Sequence, residues 1–319
     1  MKRRSIAVFV LLFFAVLVVI LLFNGFHQSY QVAARLAPAS GSKNQTIISQ
    51  SNSSSILKNK TPTNETIVPK NKSIIALSIA SGLRYLYNEY NNSVGLVFNS
   101  PDNSQLRSTY WLYSDNYLTA LSFSMSGNST LEALSHNIFS SINKYSQNHD
   151  TINQYEVLTV PVFGFYASKN FLFYKNGSEE ILSTVNNQSS TPLSSSQYAD
   201  IGFLEAIYYF RTGNKEMAMD AYSNATSTWN GIGFADLPYT STSSSSYGKY
   251  QTYKLALYIY TSRLLNITYD PTALKTLLGL QASDGGFYTC YSQNGSDDGC
   301  LTNAETTALC VLALQRLSS

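Results

Sequence analysis

Charge is what this sequence has least of. Asp, Glu, Lys and Arg supply 13% of its 319 residues, about half the share usual for a soluble domain. Ser, Thr, Asn and 24 Tyr provide the polarity instead, and the formal net charge is only +2. A phosphate-binding surface needs basic side chains concentrated in a patch. Here Lys and Arg are scattered, so a nucleic-acid partner is excluded as a working idea. Histidine and cysteine are scarcer still, with three of each. The imidazoles (His27, His136, His149) all lie far upstream of Cys290, Cys300 and Cys310, and this spacing fits no zinc site. No Ser/His/Asp or Cys/His nucleophile set and no phosphate-cradling glycine loop stands out. No cofactor is therefore expected.

One long apolar run is present, from Ile6 to Phe23, behind Lys2, Arg3 and Arg4. It exceeds a usual cleavable signal core and just reaches the length that crosses a bilayer. Basic residues ahead of a span keep that end in the cytoplasm and place the rest outside. Residues 1–26 are thus expected to be a basic flank and signal-anchor. A cleaved signal is the alternative, since Ala33–Ala39 (AARLAPA) supplies small residues. Residues 27–72 are rich in Ser, Asn, Thr and Lys, contain Pro38, Pro62 and Pro69, and lack apolar periodicity. Such a composition buries too little to offset the entropy of ordering, so it predicts a stalk.

Asn-x-Ser/Thr triplets agree with an outside location. They occur at Asn44, Asn52, Asn59, Asn64, Asn71, Asn91, Asn128, Asn176, Asn187, Asn224, Asn266 and Asn294. Twelve acceptor triplets downstream of a membrane segment predict a glycosylated exterior. Low charge, many Ser, Thr, Asn and Tyr, and dense triplets resemble the surface proteins of acidophilic archaea. In an oxidising exterior Cys290 and Cys300, both in the last loop, are expected to pair. Cys310 falls inside an apolar helix as a small core residue.

From Ser73 to Ser319 the pattern is mainly helical. The end of the chain shows the unit most clearly: LKTLLGLQ, a loop containing DGGFY, then ALCVLALQRL, apolar on nearly every face. A helix apolar all round must be wrapped by others, and this one is too short to span lipid. The order of amphipathic helix, Gly–aromatic loop and apolar helix recurs four times. The loop cores read GLVF, FGFY, GIGF and GGFY, and the inner helices open at SDNYLTAL, YADIGFLEAI, YQTYKLAL and NAETTALCVL. That periodicity predicts a helical-repeat architecture. Ser73 is expected to cap the first helix and Ser129 with Glu132 to form a capping box. β-branched and aromatic residues around Tyr155–Tyr174 predict two short strands inserted in the array.

LLGLQASDGGF followed by NAETTALCVLAL resembles the repeat of the α/α-toroid superfamily, which includes terpenoid cyclases, protein prenyltransferase β subunits and complement-type thioester domains. Six-hairpin glycosidases and related polysaccharide lyases are architecturally similar. The resemblance is sharp over Leu277–Leu314 and implies alternating outer and inner helices around a funnel, with four hairpins giving an open or distorted ring. The cyclase Asp-rich motif, the prenyltransferase zinc set and the thioester motif are absent, so it implies a fold and not those activities.

Aligned inner-helix starts put Asp115, Asp200 and Glu305 at one position, with Thr252 in the remaining unit. Around a funnel these acids would converge near Trp111, Tyr113, Tyr198, Tyr250 and Phe287. Carboxylates beside flat aromatic faces suit carbohydrate chemistry, one protonating a glycosidic oxygen and another activating water. This predicts a glycan-active hydrolase or lyase. The competing reading is structural: first-turn acids complement a helix dipole, Thr302 and Glu305 match a capping box, and Ser114 precedes Asp115 at a helix start. Glu205 would be exposed or paired with Arg211. A non-catalytic surface binding protein is the alternative function. Asn294–Gly299 departs from a calcium loop in spacing and lacks its closing Glu, so it is taken as a turn.

Overall fold

The computed structural model describes residues 68–99, 110–146, 153–162, 168–176, 179–186, 193–297 and 299–319. The expected membrane span, the stalk up to residue 67, and Asn44, Asn52, Asn59, Asn64 and Asn187 lie outside them. Among the described residues no helix is long and apolar enough to cross a membrane. The chain divides into Met1–Thr63 and Asn64–Ser319, and only the second unit is treated below.

This unit is mainly helical, with short strands. In chain order it runs α1 (Val68–Asn88), β1 (Tyr90–Asn91), β2 (Leu96–Val97), β3 (Tyr110–Leu112), α2 (Tyr113–Ser124), α3 (Ser129–Ser146) and a 3-10 turn (Gln154–Leu158). Then come β4 (Ser168–Asn176), β5 (Glu179–Asn186), α4 (Ala199–Arg211), α5 (Lys215–Thr226) and the one-turn α6 (Leu237–Thr240). It closes with β6 (Tyr250–Gln251), α7 (Thr252–Leu265), α8 (Pro271–Gly279), β7 (Cys290–Tyr291) and α9 (Ala304–Ser318).

The apolar helices are inside, as their all-round hydrophobicity requires. From Thr306 to Gln315 every residue of α9 is buried, and α7 is buried from Lys254 through Ser262. α9 packs against α7, α2 and α1; α7 packs against α4; and the 3-10 turn packs against both α4 and α2. The inner elements therefore contact one another in a closed order: α2, α9, α7, α4, the turn, and α2 again. The amphipathic helices α3, α5, α8 and α1 each lie on one inner helix: α2, α4, α7 and α9 respectively. The first helix thus packs on the last. Ser78 Oγ donates to Gln281 Oε1 at 2.7 Å and Tyr85 OH to Thr302 Oγ1 at 3.2 Å across this junction.

Several boundaries differ from the sequence reading. α1 begins at Val68, ahead of Ser73. α3 is capped by Asn128, whose Oδ1 accepts from Thr130 N and Leu131 N, so Ser129 is already inside the helix. The first expected strand of the insertion is the 3-10 turn. Asn153 and Glu156 close a capping box over it, and this local pairing prevails over the β preference of Val157 and Val160. The real hairpin is β4 with β5, antiparallel from Ser168↔Asn186 to Asn176↔Glu179, and β3 joins β5 in parallel.

The Gly–aromatic loops are one device used repeatedly. Gly95, Gly231 and Gly285 have φ of 77°, 90° and 100°, the left-handed region that favours glycine. Each turn then buries an aromatic ring: Phe98, Phe234 and Phe287. Cys290 and Cys300 are disulfide-bonded with Cα atoms 5.5 Å apart, and Cys310 is a buried free thiol. Asn128, Asn224, Asn266 and Asn294 are exposed and Asn91 is half-buried. Asn71 lies in α1 and Asn176 ends β4.

Candidate functional site

The four inner helices all begin at the same end of the array, and their second residues are Ser114, Asp200, Tyr253 and Glu305. Ser114, Tyr253 and Glu305 are half-buried, and Asp200 is 9% exposed. The third residues of α2 and α7, Asp115 and Lys254, are sealed at 0% and 1%. The sequence alignment therefore needs two corrections. Ser114, not Asp115, is the counterpart of Asp200 and Glu305, and Tyr253, not Thr252, holds that place in α7. Both shifts are a single residue, within the ambiguity of aligning helix starts that carry different caps.

Asp115 and Glu305 form the first half of the site. Asp115 Oδ2 accepts from Asn99 Nδ2 at 2.5 Å, and its Oδ1 lies 3.1 Å from Ser114 Oγ. That hydroxyl is also 3.5 Å from Glu305 Oε2, while Tyr155 OH donates to Glu305 Oε1 at 2.6 Å. The two carboxyls are in hydrogen-bond reach of each other. Burial raises the pKa of Asp115, and the neighbouring Glu305 charge raises it further. For Glu305 burial is again the largest cause, opposed by the Tyr155 hydrogen bond and reinforced by Asp200. Burial and mutual charge together push ionisation of this pair above the ordinary carboxyl range. Of the two, Glu305 is the one that retains accessible surface.

Asp200 forms the second half. Its Oδ2 accepts from Tyr253 OH at 3.2 Å, and its Oδ1 lies 3.5 Å from Lys254 Nζ. Lys254 is set more tightly on Asp236, at 2.5 Å between side chains that are each 1% exposed. Asp236 Oδ2 in turn accepts from Ala199 N at 2.9 Å, closing the first turn of α4 from a separate loop. Burial raises the Asp236 pKa while Lys254 opposes the rise. A buried ammonium needs partners of this kind, because an isolated charge there costs several kcal/mol. The halves feel each other: Tyr155 and Tyr253 are both raised, first by burial and then by the charges of Glu305 and Asp200.

The structure thus brings Asp115, Asp200 and Glu305 together. It also removes the capping explanation for Glu305, since α9 is capped by Asn303, whose side chain accepts from Thr306 N. α2 likewise has no side-chain cap at its Leu112 N-cap. Among the aromatic candidates, Trp111, Tyr250 and Phe287 are 0%, 1% and 0% exposed. They are core residues without a face for a ligand, because β3, β6 and the last Gly–aromatic turn direct their rings inward. Tyr113 and Tyr198 remain half-buried. Tyr113 OH donates to Glu156 Oε1 at 2.8 Å and its ring stacks on Tyr117 at 6.3 Å. Glu205 is hydrogen-bonded to Ser195, while Arg211 donates to the Leu158 carbonyl.

Sequence reasoning missed Tyr155, Tyr253, Lys254 and Asp236. Tyr155 was hidden because the capping box Asn153–Glu156 was overlooked. Tyr253 was within reach of a one-residue shift. Asp236 and Lys254 left a signal in Lys254 itself, a lysine inside an otherwise apolar run, which calls for a buried acid. No family model, curated protein or solved structure matches this chain. The chemistry of the site therefore rests on its own residues: a half-buried acid with a raised pKa that accepts from a phenol, and a carboxylate fixed by an ammonium and a second phenol.

Proposed function

We propose that this chain is a membrane-anchored, extracellular glycan-active enzyme, a hydrolase built on an α/α toroid whose four inner helices open at the active site. The observation that carries the reading is the placing of two differently held carboxyl groups at the inner-helix starts: Glu305, which shares the Ser114 hydroxyl with Asp115 and accepts from Tyr155, and Asp200, ion-paired with Lys254. Two acids whose environments divide them into a donor and an acceptor are what glycoside hydrolysis requires. Glu305 gives its proton to the glycosidic oxygen as the bond to the anomeric carbon breaks. Asp200 takes a proton from the water that attacks that carbon. Solvent then returns Asp200 and Glu305 to their starting states. Asp115 is sealed and acts through Glu305, as a positioning residue. Tyr113 and Tyr198 offer the partly accessible rings for a sugar face. Exposed acceptor triplets at Asn128, Asn224, Asn266 and Asn294 and the Cys290–Cys300 bridge support an exterior location.

The second reading is a non-catalytic surface protein using the same toroid. It draws on the full burial of Asp115 and Lys254, which would tie the inner helices together whatever the ligand. Release of reducing ends from a polysaccharide panel separates the two. Glu305→Gln and Asp200→Asn are each expected to lower turnover by at least about 10²-fold with the thermal midpoint within a few degrees of the parent. No turnover by the parent on any member, or unchanged turnover in both variants, contradicts the enzyme.

A further inference from the structure

The buried ion pair of Lys254 and Asp236 has the geometry of two groups about to be joined. Lys254 is the third residue of α7, and its side chain is directed at two acids inside the fold. Its Nζ lies 2.5 Å from Asp236 Oδ2, closer than the roughly 2.7–2.9 Å usual for an ammonium on a carboxylate. Asp236 is the N-cap of α6, yet its side chain does not cap that turn. It is turned to Lys254 and to Ala199 N, which donates to the same Oδ2 at 2.9 Å. Asp200 Oδ1 stands 3.5 Å from Nζ, and the Tyr253 ring centre is 5.8 Å away. The side chains of Lys254 and Asp236 are each 1% exposed, so bulk solvent is kept from both.

We propose that Lys254 and Asp236 condense within the folded chain into an isopeptide bond, Nζ to Cγ, with Asp200 moving the proton. The proposal is independent of the glycan reading. Burial raises the Asp236 pKa against the opposing charge of Lys254, and low polarity favours the same pair with its proton moved from nitrogen to the carboxyl. That leaves a neutral amine facing a carboxylic acid, the two forms that react. As Nζ attacks Cγ, negative charge gathers on Oδ2, where the Ala199 N–H already donates. Asp200 takes the next proton from the nitrogen and passes it to the departing hydroxyl, which leaves as water. One N–C bond forms, one C–O bond breaks, Asp200 ends as it began, and nothing is oxidised or reduced. Fixing both partners in one core supplies the effective concentration that a free amine and acid lack in water. The amide N–H then replaces the ammonium beside Asp200, so that carboxylate stays held. The bond closes residues 237–253 into a ring tied to α7, as the Cys290–Cys300 bridge closes part of the last loop.

The test is peptide mapping of the full folded chain, which is denatured, reduced and cut with trypsin. An Asn224→Gln background keeps glycan mass off the peptide that holds Asp236. An unlinked chain is cut after Lys249 and Lys254 and releases Tyr250–Lys254. In a linked chain the cut after Lys254 is blocked. Tyr250–Arg263 is then found joined to Glu216–Lys249, lighter than the sum of the two by one water. We expect this branched peptide from most of the folded chain, and its loss in Lys254→Arg and Asp236→Ala. Asp236→Asn should yield the identical product, because ammonia leaves in place of water. Asp200→Asn, confirmed as folded by circular dichroism, should link at least about 10²-fold more slowly when followed in time after cell-free synthesis. Release of Tyr250–Lys254 in full yield from the folded parent overturns the proposal and leaves Lys254 as an ion-pair partner. Linkage of Asp200→Asn at the parent's rate overturns the proton transfer assigned to Asp200.

Discussion

At the scale of single residues, the site depends on a charge that the sequence would not be expected to place inside. Lys254 sits in the apolar run of α7 with Asp236 beneath it and Asp200 beside it. Removing one partner of a buried pair leaves the other uncompensated, which costs about 3–5 kcal/mol. Asp236→Ala also strips the acceptor from Ala199 N. We expect Asp236→Ala to lose at least that amount in urea unfolding, and Asp236→Asn to lose less because its amide oxygen can still accept from Ala199 N. Equal losses would mean that the uncompensated ammonium, not the cap, dominates. The acids at the helix starts were legible because acidic residues in first turns are conspicuous in a chain so poor in charge. Their partners were not. Tyr155 lies 150 positions from Glu305 and Asn99 16 from Asp115, and no local pattern encodes such a contact.

At the scale of elements, apolarity on every face identified α7 and α9 as inner helices, and burial bears that out. Boundaries were less readable because caps compete within a residue or two, as Asn128 against Ser129 shows. The aromatic residues of the Gly–aromatic loops were visible, but their direction was not. A Phe beside a turn can face a ligand or the core, and tertiary packing sends Phe98, Phe234 and Phe287 inward. The turns themselves are testable. A Cβ on Gly285 would run into the Ser81 carbonyl of α1, while one on Gly213, also at positive φ, would meet nothing. Gly285→Ala should therefore cost more than Gly213→Ala, whose loss is about 1 kcal/mol from backbone strain alone. Equal losses in thermal unfolding would show that the junction between the first helix and the last loop yields without cost.

At the scale of the whole unit, closed contact order makes the acid cluster possible. Because α9 lies between α2 and α7, Glu305 is brought to Asp115 on one side and to the neighbourhood of Asp200 on the other. The same arrangement has a thermodynamic sign. Asp115 and Glu305 have folded pKa values raised above their unfolded ones, so their contribution to stability is fully present below the ordinary carboxyl range. It is lost as pH rises through the raised folded values. The unit should then be most stable in acid, and Asp115→Asn should flatten that dependence. The most direct measurement is a carbon-13 titration of the side-chain carboxyls of the folded chain, assigned with Asp115→Asn and Glu305→Gln. The account predicts that the Asp115–Glu305 pair still holds one proton well above the ordinary carboxyl range, and that Asp115→Asn changes the Glu305 titration. Two carboxyls that both ionise in the ordinary range, independently of each other, would contradict it.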